Sequence, residues 1–165
     1  MIQNGTSWDY PIAIHMAVAC ELRINPRTWI VPAFVRSLWA SHFPDYEDLI
    51  GVEAFSDEAG NIVFFFEEDW SEQYRLWILH HEMFHQAQFY DKGNCRGRRW
   101  DGMSTAQQNR AWETEACKYA NLRVGEPEKD FQPYCTDGAV VGAPQDLAPR
   151  FKIGRKTRSA RVPRL

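Results

Sequence analysis

The pattern of hydrophobic and polar positions predicts a long helix over residues 71–90. This stretch (SEQYRLWILHHEMFHQAQFY) contains no glycine or proline, and its apolar residues recur at helical spacing. Asp69 with Glu72 three residues later, or Ser71, is suited to cap its start. One stripe of the helix, expected to face the core or a cleft, combines apolar with chemically active side chains: Ile78, His81, Glu82, His85 and Phe89.

A second helix pattern covers residues 105–123 (TAQQNRAWETEACKYANLR). Thr105 and Gln108 have the spacing of a capping box, and Gly125 followed by Pro127 ends the pattern.

The first half of the chain predicts further helices over residues 10–22 and 32–42, the latter with proline at its start. Two strand patterns, 49–55 and 61–67, flank the turn Asp57-Glu58-Ala59-Gly60, which indicates a hairpin. The second strand is apolar enough to be covered on both faces and leads directly into the helix at 71–90. We therefore expect an α+β fold in which a small antiparallel β-sheet packs on that helix.

The run His81-Glu82-Met83-Phe84-His85 carries the chemistry of this helix. Two histidines four residues apart project from one face about a turn apart, so both imidazoles can reach one Zn²⁺. Glu82 would then face a metal-bound water. His80 lies about 100° around the helix, so it is not expected to be a ligand.

A catalytic zinc ion usually has three protein ligands and one open position. No histidine follows His85, so the third ligand is expected to be a carboxylate of the second helix. Glu113 and Glu115 are about 200° apart on that helix and cannot both face the metal. Glu113 shares its side with the small residues Ala116 and Ala120, whereas Glu115 lies with Lys118 as an exposed ion pair would. We therefore predict Glu113 as the ligand.

An HExxH helix followed by a helix bearing ExxA resembles the gluzincin metallopeptidases. The segments SEQYRLWILHHEMFH and ETEACKYA are most similar to the small ImmA/IrrE-type proteins, over roughly residues 50–123. This resemblance implies a minimal gluzincin-like fold, His81, His85 and Glu113 as zinc ligands, and Glu82 as general base in peptide-bond hydrolysis. The chain departs from the family pattern at Phe84, where a small residue is common, and at Cys117, where asparagine is usual.

A peptidase also needs a donor to the developing oxyanion. The available candidates are His80, Arg110, Tyr119 and Tyr134, of which His80 and Tyr119 are also candidates for supporting the metal site. The substrate would be a peptide or protein, added as a strand to the sheet edge beside the metal.

Composition indicates a single compact domain: 44% of the 165 residues are hydrophobic and 14% are aromatic. No apolar run is long enough to span a membrane and the first residues lack signal-peptide features, so no membrane association is expected. We expect a cytoplasmic protein, or a component of a larger assembly such as a virion. The four cysteines show no CxxC spacing and are expected to be free thiols, with Cys95 as a conceivable latency switch.

The chain changes character after residue 124, which divides a metallopeptidase-like domain (1–124) from an extended, proline- and glycine-containing segment (125–165). Residues 149–165 carry seven basic and no acidic side chains, which leaves 12 basic and 22 acidic residues in the first 148. This basic tail could bind an acidic partner, nucleic acid or a neighbour in an assembly. The alternative function is therefore a structural or assembly protein, for example of a phage particle, that retains a metallopeptidase fold and zinc site.

Overall fold

The computed structural model describes residues 1–38, 52–93 and 104–126. These residues form an α+β arrangement of one four-stranded sheet and three long helices. The elements in chain order are β1 (Ile2–Asn4), α1 (Ile12–Leu22), β2 (Arg27–Pro32), β3 (Ala54–Ser56), β4 (Asn61–Phe66), α2 (Glu72–Gly93) and α3 (Thr105–Val124).

The sheet is mixed, with strand order β1-β2-β4-β3. β1 pairs with β2 and β2 with β4 in parallel, whereas β3 pairs antiparallel with β4. The predicted hairpin is confirmed, but its first strand, predicted over 49–55, is only Ala54–Ser56 in the described part of the chain. Gly60, with φ of +87°, completes the turn in a conformation that side chains disfavour. The expectation of an antiparallel sheet is wrong, because a β1-α1-β2 unit adds two parallel strands that no local turn signal announces.

The apolar residues of the sheet divide between its two faces by strict alternation. Ile30, Ile62 and Phe64 face the helices and belong to the main core, together with Trp8, Trp70 and Tyr74. Val63 and Phe65 lie on the opposite face with Trp29, Val31 and Phe55. Residues 62–66 are all buried, which confirms that β4 is covered on both sides.

The helices begin and end close to their predicted limits. Ser71 caps α2 by accepting a hydrogen bond from the backbone N–H of Tyr74 at 3.1 Å. The capping box of α3 lies one residue earlier than predicted, with Ser104 and Gln107 bonding each other's backbone N–H groups. Gly125 ends α3 as expected.

The predicted helix over 32–42 is described only in part. A 3₁₀ turn, Ala33–Val35, is followed by helical backbone at 36–38, and the remainder lies outside the described residues. The segment 127–165, including the basic tail, also lies outside them. Within the described ranges, no helix is long and apolar enough to cross a membrane.

Phe64 tests the main core. Its side chain is fully buried, so Phe64→Ala should lower the free energy of unfolding by about 3–5 kcal/mol. Phe34, which is 82% exposed, provides the matched control, and Phe34→Ala should change stability by no more than about 0.5 kcal/mol. Urea unfolding of both variants measures the difference, and equal effects would contradict the packing described here.

Candidate metal centre

Three side chains from two helices converge at one point. The Nε2 atoms of His81 and His85, one turn apart on α2, are 3.0 Å from each other. The Oε2 atom of Glu113, on α3, lies 3.4 Å from the first and 3.5 Å from the second. The structure therefore brings together the three side chains that the sequence predicts as ligands. Their ligand atoms are close enough to hold one metal ion.

These separations fit a tetrahedral zinc site. With bonds of about 2.0–2.2 Å, two ligand atoms of a tetrahedral Zn²⁺ lie about 3.3–3.6 Å apart. The three observed distances, 3.0, 3.4 and 3.5 Å, are close to that spacing. Two nitrogens and one carboxylate oxygen are also a donor set that zinc accepts in catalytic sites.

The three candidate ligands differ in their exposure. His81 and His85 are 8% and 6% exposed, whereas the side chain of Glu113 is 41% exposed. Among the described residues, solvent therefore reaches the Glu113 side chain, and a hydrolytic metal site requires access of this kind.

Gln88 determines which nitrogen of His85 faces Glu113. Its side-chain Nε2 donates to the Trp112 carbonyl at 3.0 Å and to Glu115 at 2.9 Å, both of which can only accept. The Oε1 atom of the same amide must then be the one that lies 2.7 Å from His85 Nδ1. His85 therefore carries a proton on Nδ1, and its Nε2 faces the centre.

The charges of the centre stabilise each other when no ion is bound. Burial alone would lower the pKa of His85, but the Glu113 carboxylate outweighs it and raises the pKa to about 9. Burial would likewise raise the pKa of Glu113, yet the charge of His85 and hydrogen bonds from both imidazoles lower it well below its usual value. The proton on His85 Nε2 is the one that a metal ion bound to this nitrogen would replace.

Aromatic rings hold the two imidazoles in place. Trp77 stacks on His81 with ring centroids 4.9 Å apart, and Trp112 lies nearly parallel to His85 at 5.9 Å. Trp77 is itself fixed by a 2.7 Å hydrogen bond from its indole N–H to Asn121 of α3. The rotamers of both histidines are thus set by packing.

The remaining ring nitrogen of His81, Nδ1, lies 3.8 Å from the sulfur of Cys117. Cys117 is disulfide-bonded, so the free-thiol expectation is wrong for it, while Cys20 is free and exposed. Cys95 and Cys135 lie outside the described residues.

Glu82 is buried beside the centre, 5% exposed. The hydroxyl of Ser56, on β3, lies 2.7 Å from Glu82 Oε2 and 3.0 Å from the Glu82 backbone carbonyl. The Glu82 charge also contributes to the raised pKa of His85. Among the described residues, the other carboxylate oxygen accepts no hydrogen bond from the protein, and it is the one suited to accept a proton from water.

His80 and Tyr119 form a separate group on the other flank of α2. His80 donates from Nδ1 to the Leu76 carbonyl at 2.8 Å, and burial lowers its pKa. The Tyr119 hydroxyl donates to Glu21 at 3.3 Å, and burial, aided by the Glu21 charge, raises the pKa of the phenol to about 12. The Tyr119–Glu21 bond ties α3 to α1, and these hydrogen bonds of His80 and Tyr119 go to groups other than the candidate ligands.

The other two oxyanion candidates are not placed at the centre either. Arg110 lines an open pocket on the outer surface of α3 with Gln107, Ala111, Thr114 and Glu115. Tyr134 lies outside the described residues.

Glu115 was expected to form an exposed pair with Lys118. In the structure its carboxylate accepts a hydrogen bond from Gln88, which the sequence did not predict. Gln88 and Ser56 are the site residues that sequence reasoning did not identify. Gln88 follows His85 by three residues on one helix, so helical spacing could have found it. Ser56 reaches Glu82 from another element, and no local pattern indicates that contact.

Comparison of the chain with protein-family profiles, with curated proteins and with solved structures finds no significant match. Functional inference therefore depends on the residues of this chain and on their geometry.

Separate substitution of Glu113 and Glu115 tests which carboxylate is the metal ligand. Purified protein should contain about one zinc ion per chain, and Glu113→Gln should weaken zinc binding by about 100-fold or more because an anionic ligand is lost. Glu115→Gln should stay within about threefold of the wild type, since its amide oxygen can still accept from Gln88. Competition with a chromophoric chelator measures both, and zinc loss confined to Glu115→Gln would reverse the assignment.

Metal binding should displace the proton of His85. Because the pKa of His85 rises from 6.5 to about 9 in the metal-free protein, the proton contributes stability that is complete below pH 6.5 and is lost as the pH rises through about 9. Zinc uptake at pH 7.5 should therefore release about one proton from His85, in addition to any proton lost by the zinc-bound water, and the His85 contribution should fall as the pH rises through about 9. Titration calorimetry in buffers of different ionisation enthalpy counts the protons, and no release at pH 7.5 would contradict the described ion pair.

Proposed function

We propose that this chain is a zinc-dependent peptidase with His81, His85 and Glu113 as ligands and Glu82 as general base. The observation that carries the proposal is the convergence of three ligand atoms at zinc spacing on a helix that also carries a buried glutamate. Zinc bound there would acidify its water and polarise the scissile carbonyl.

In this proposal Glu82 accepts the proton of the attacking water and returns it to the leaving amine. The Ser56 hydroxyl bonds one carboxylate oxygen, which fixes the orientation of the group and leaves the other oxygen for the proton. Burial of Glu82 and both imidazoles keeps these interactions strong, because little water competes for them.

The edge of the sheet supplies a place for the substrate backbone. The residues that flank β3 bond to β4 through their backbones: Phe65 N–H donates to the Glu53 carbonyl at 2.8 Å and Asp57 N–H donates to the Asn61 carbonyl at 3.0 Å. By antiparallel alternation, the backbone groups of Ala54 and Ser56 point away from β4. β3 is an edge strand of the described sheet, so a peptide could pair with these groups as an added strand.

Ser56 connects this edge to the base. Its backbone lies on the proposed peptide-binding side while its hydroxyl holds Glu82, so a peptide on β3 would lie next to the general base. An edge strand beside an HExxH helix and a second ligand-bearing helix is consistent with the minimal gluzincin-like fold implied by the sequence resemblance, and with a peptide or protein as substrate.

Glu82→Gln separates hydrolysis from a purely structural role. Because Glu82 is not a ligand in this scheme, the variant should keep its zinc and its melting temperature within a few degrees. It should also lose about 10²–10⁴-fold or more in turnover, measured on a peptide library with mass-spectrometric detection. Glu82→Gln keeps the shape of the side chain, so a change in zinc content would itself contradict the scheme.

A matched control is Glu58→Gln, which removes a charge from the exposed hairpin turn and should leave turnover unchanged. If the zinc-loaded wild type cleaves no peptide in the library, and Glu82→Gln replaces it fully in the biological role, the assembly-protein alternative is correct. Binding through the basic tail 149–165 would then be the property to measure.

A further inference from the structure

The buried amide of Gln88 stands between the candidate metal centre and the surface of α3. It is 1% exposed, and its three hydrogen bonds reach His85, the Trp112 carbonyl and Glu115. A buried polar group that loses its hydrogen-bond partner destabilises the folded protein, so this set of bonds strongly restricts the amide to one orientation.

The orientation of the amide restricts His85 in turn. With Oε1 at 2.7 Å from Nδ1, a His85 tautomer without a proton on Nδ1 would place two lone pairs against each other. Turning the amide to relieve that contact would bring Oε1 against the Trp112 carbonyl and the Glu115 carboxylate instead. The tautomer that offers Nε2 to a metal is therefore the one that the surroundings of Gln88 favour.

Glu115 completes the arrangement from the outside. It is partly exposed and lines an open pocket on α3 with Arg110 and Thr114. Its carboxylate is the second acceptor on Gln88 Nε2, and a charged acceptor makes a stronger hydrogen bond than a carbonyl.

We propose that Gln88, held by Glu115, is a positioning residue that fixes the metal-binding tautomer of His85. This role rests on the proposed zinc site. It adds a chain of hydrogen bonds, Glu115–Gln88–His85, that holds the His85 imidazole in its metal-binding form. When a group that hydrogen-bonds the non-ligating ring nitrogen of a histidine ligand is removed, metal affinity typically falls by about 10- to 100-fold.

Gln88→Leu tests the role, because leucine has similar bulk but cannot accept from Nδ1. It should weaken zinc binding by about 10- to 100-fold in chelator competition. Gln86→Leu is the matched control: Gln86 is also buried on α2, but its amide bonds the Asp57 and Asn61 carbonyls at 3.0 and 2.9 Å. That control should change zinc affinity by no more than about threefold, while both variants lower the melting temperature of the metal-free protein.

A swapped pair provides the rescue. Gln88→Glu combined with Glu115→Gln has the same net charge as the wild type and keeps an acceptor for His85 Nδ1, with residue 115 now donating to residue 88; the Trp112 carbonyl loses its donor, as it also does in Gln88→Leu. The double variant should bind zinc at least about fivefold more tightly than Gln88→Leu. Imidazole nitrogen NMR of the zinc-loaded wild type should show the proton of His85 on Nδ1.

The outcomes are distinguishable. A wild type that takes up no zinc overturns the proposed function. A wild type that binds zinc tightly, with Gln88→Leu within threefold of it, overturns only the positioning role. If Gln88→Leu does not fold, two double variants are compared: Gln88→Glu with Glu115→Gln, and Gln88→Met with Glu115→Gln. If the first does not bind zinc more tightly than the second, the positioning role is overturned.

Discussion

The antiparallel pairing of α2 and α3 is the constraint on which the centre depends. Two hydrogen bonds fix its register, from Trp77 to Asn121 near one end and from Gln88 to the Trp112 carbonyl near the other. Ala116 and Ala120 are fully buried between the helices, and their small side chains allow a close approach. In this register Glu113 lies opposite His85, and Cys117 lies opposite His81.

α2 is held from its other side by the sheet. Gln86 bonds two carbonyls of the hairpin, Ser56 bonds Glu82, and the Tyr74 hydroxyl donates to Glu53 ahead of β3. Side chains of α2 are therefore bonded to the sheet on one side and to α3 on the other. This arrangement explains how polar residues can be buried at the centre of an aromatic core, since each of these side chains has a partner in a fixed position.

The candidate metal centre places polar side chains in the interior, and the opposite charges of His85 and Glu113 offset the cost of burying them. Two imidazoles and a carboxylate within 3.5 Å would be costly to bury if each were left alone. In the metal-free protein the raised pKa of His85 and the lowered pKa of Glu113 give an ion pair that offsets this cost. The same pair requires a proton to leave when a cation binds, which couples metal uptake to pH.

Local sequence is enough to predict the elements around the site. The period of apolar residues gives α2 and α3, the turn chemistry at Asp57–Gly60 gives the hairpin, and the spacing of His81, Glu82 and His85 gives one chemically active helix face. These features depend on neighbours within one or two turns, so the chain carries them without reference to the rest of the fold. Glu113 was also identified from its helix face, because Ala116 and Ala120 mark the side on which another helix can approach.

Tertiary contacts decided the rest. The parallel pairing of β1, β2 and β4 joins residues far apart in the chain, and neither the three-residue β1 nor its crossover through α1 carries a turn signal. Glu115 bonds Gln88 because of the register of two helices, and Ser56 reaches Glu82 because the hairpin packs on α2. Such contacts depend on how whole elements are placed, and the same local pattern is compatible with several placements. Helical spacing therefore predicts which side chains share a face, whereas the packing of the elements determines what that face contacts.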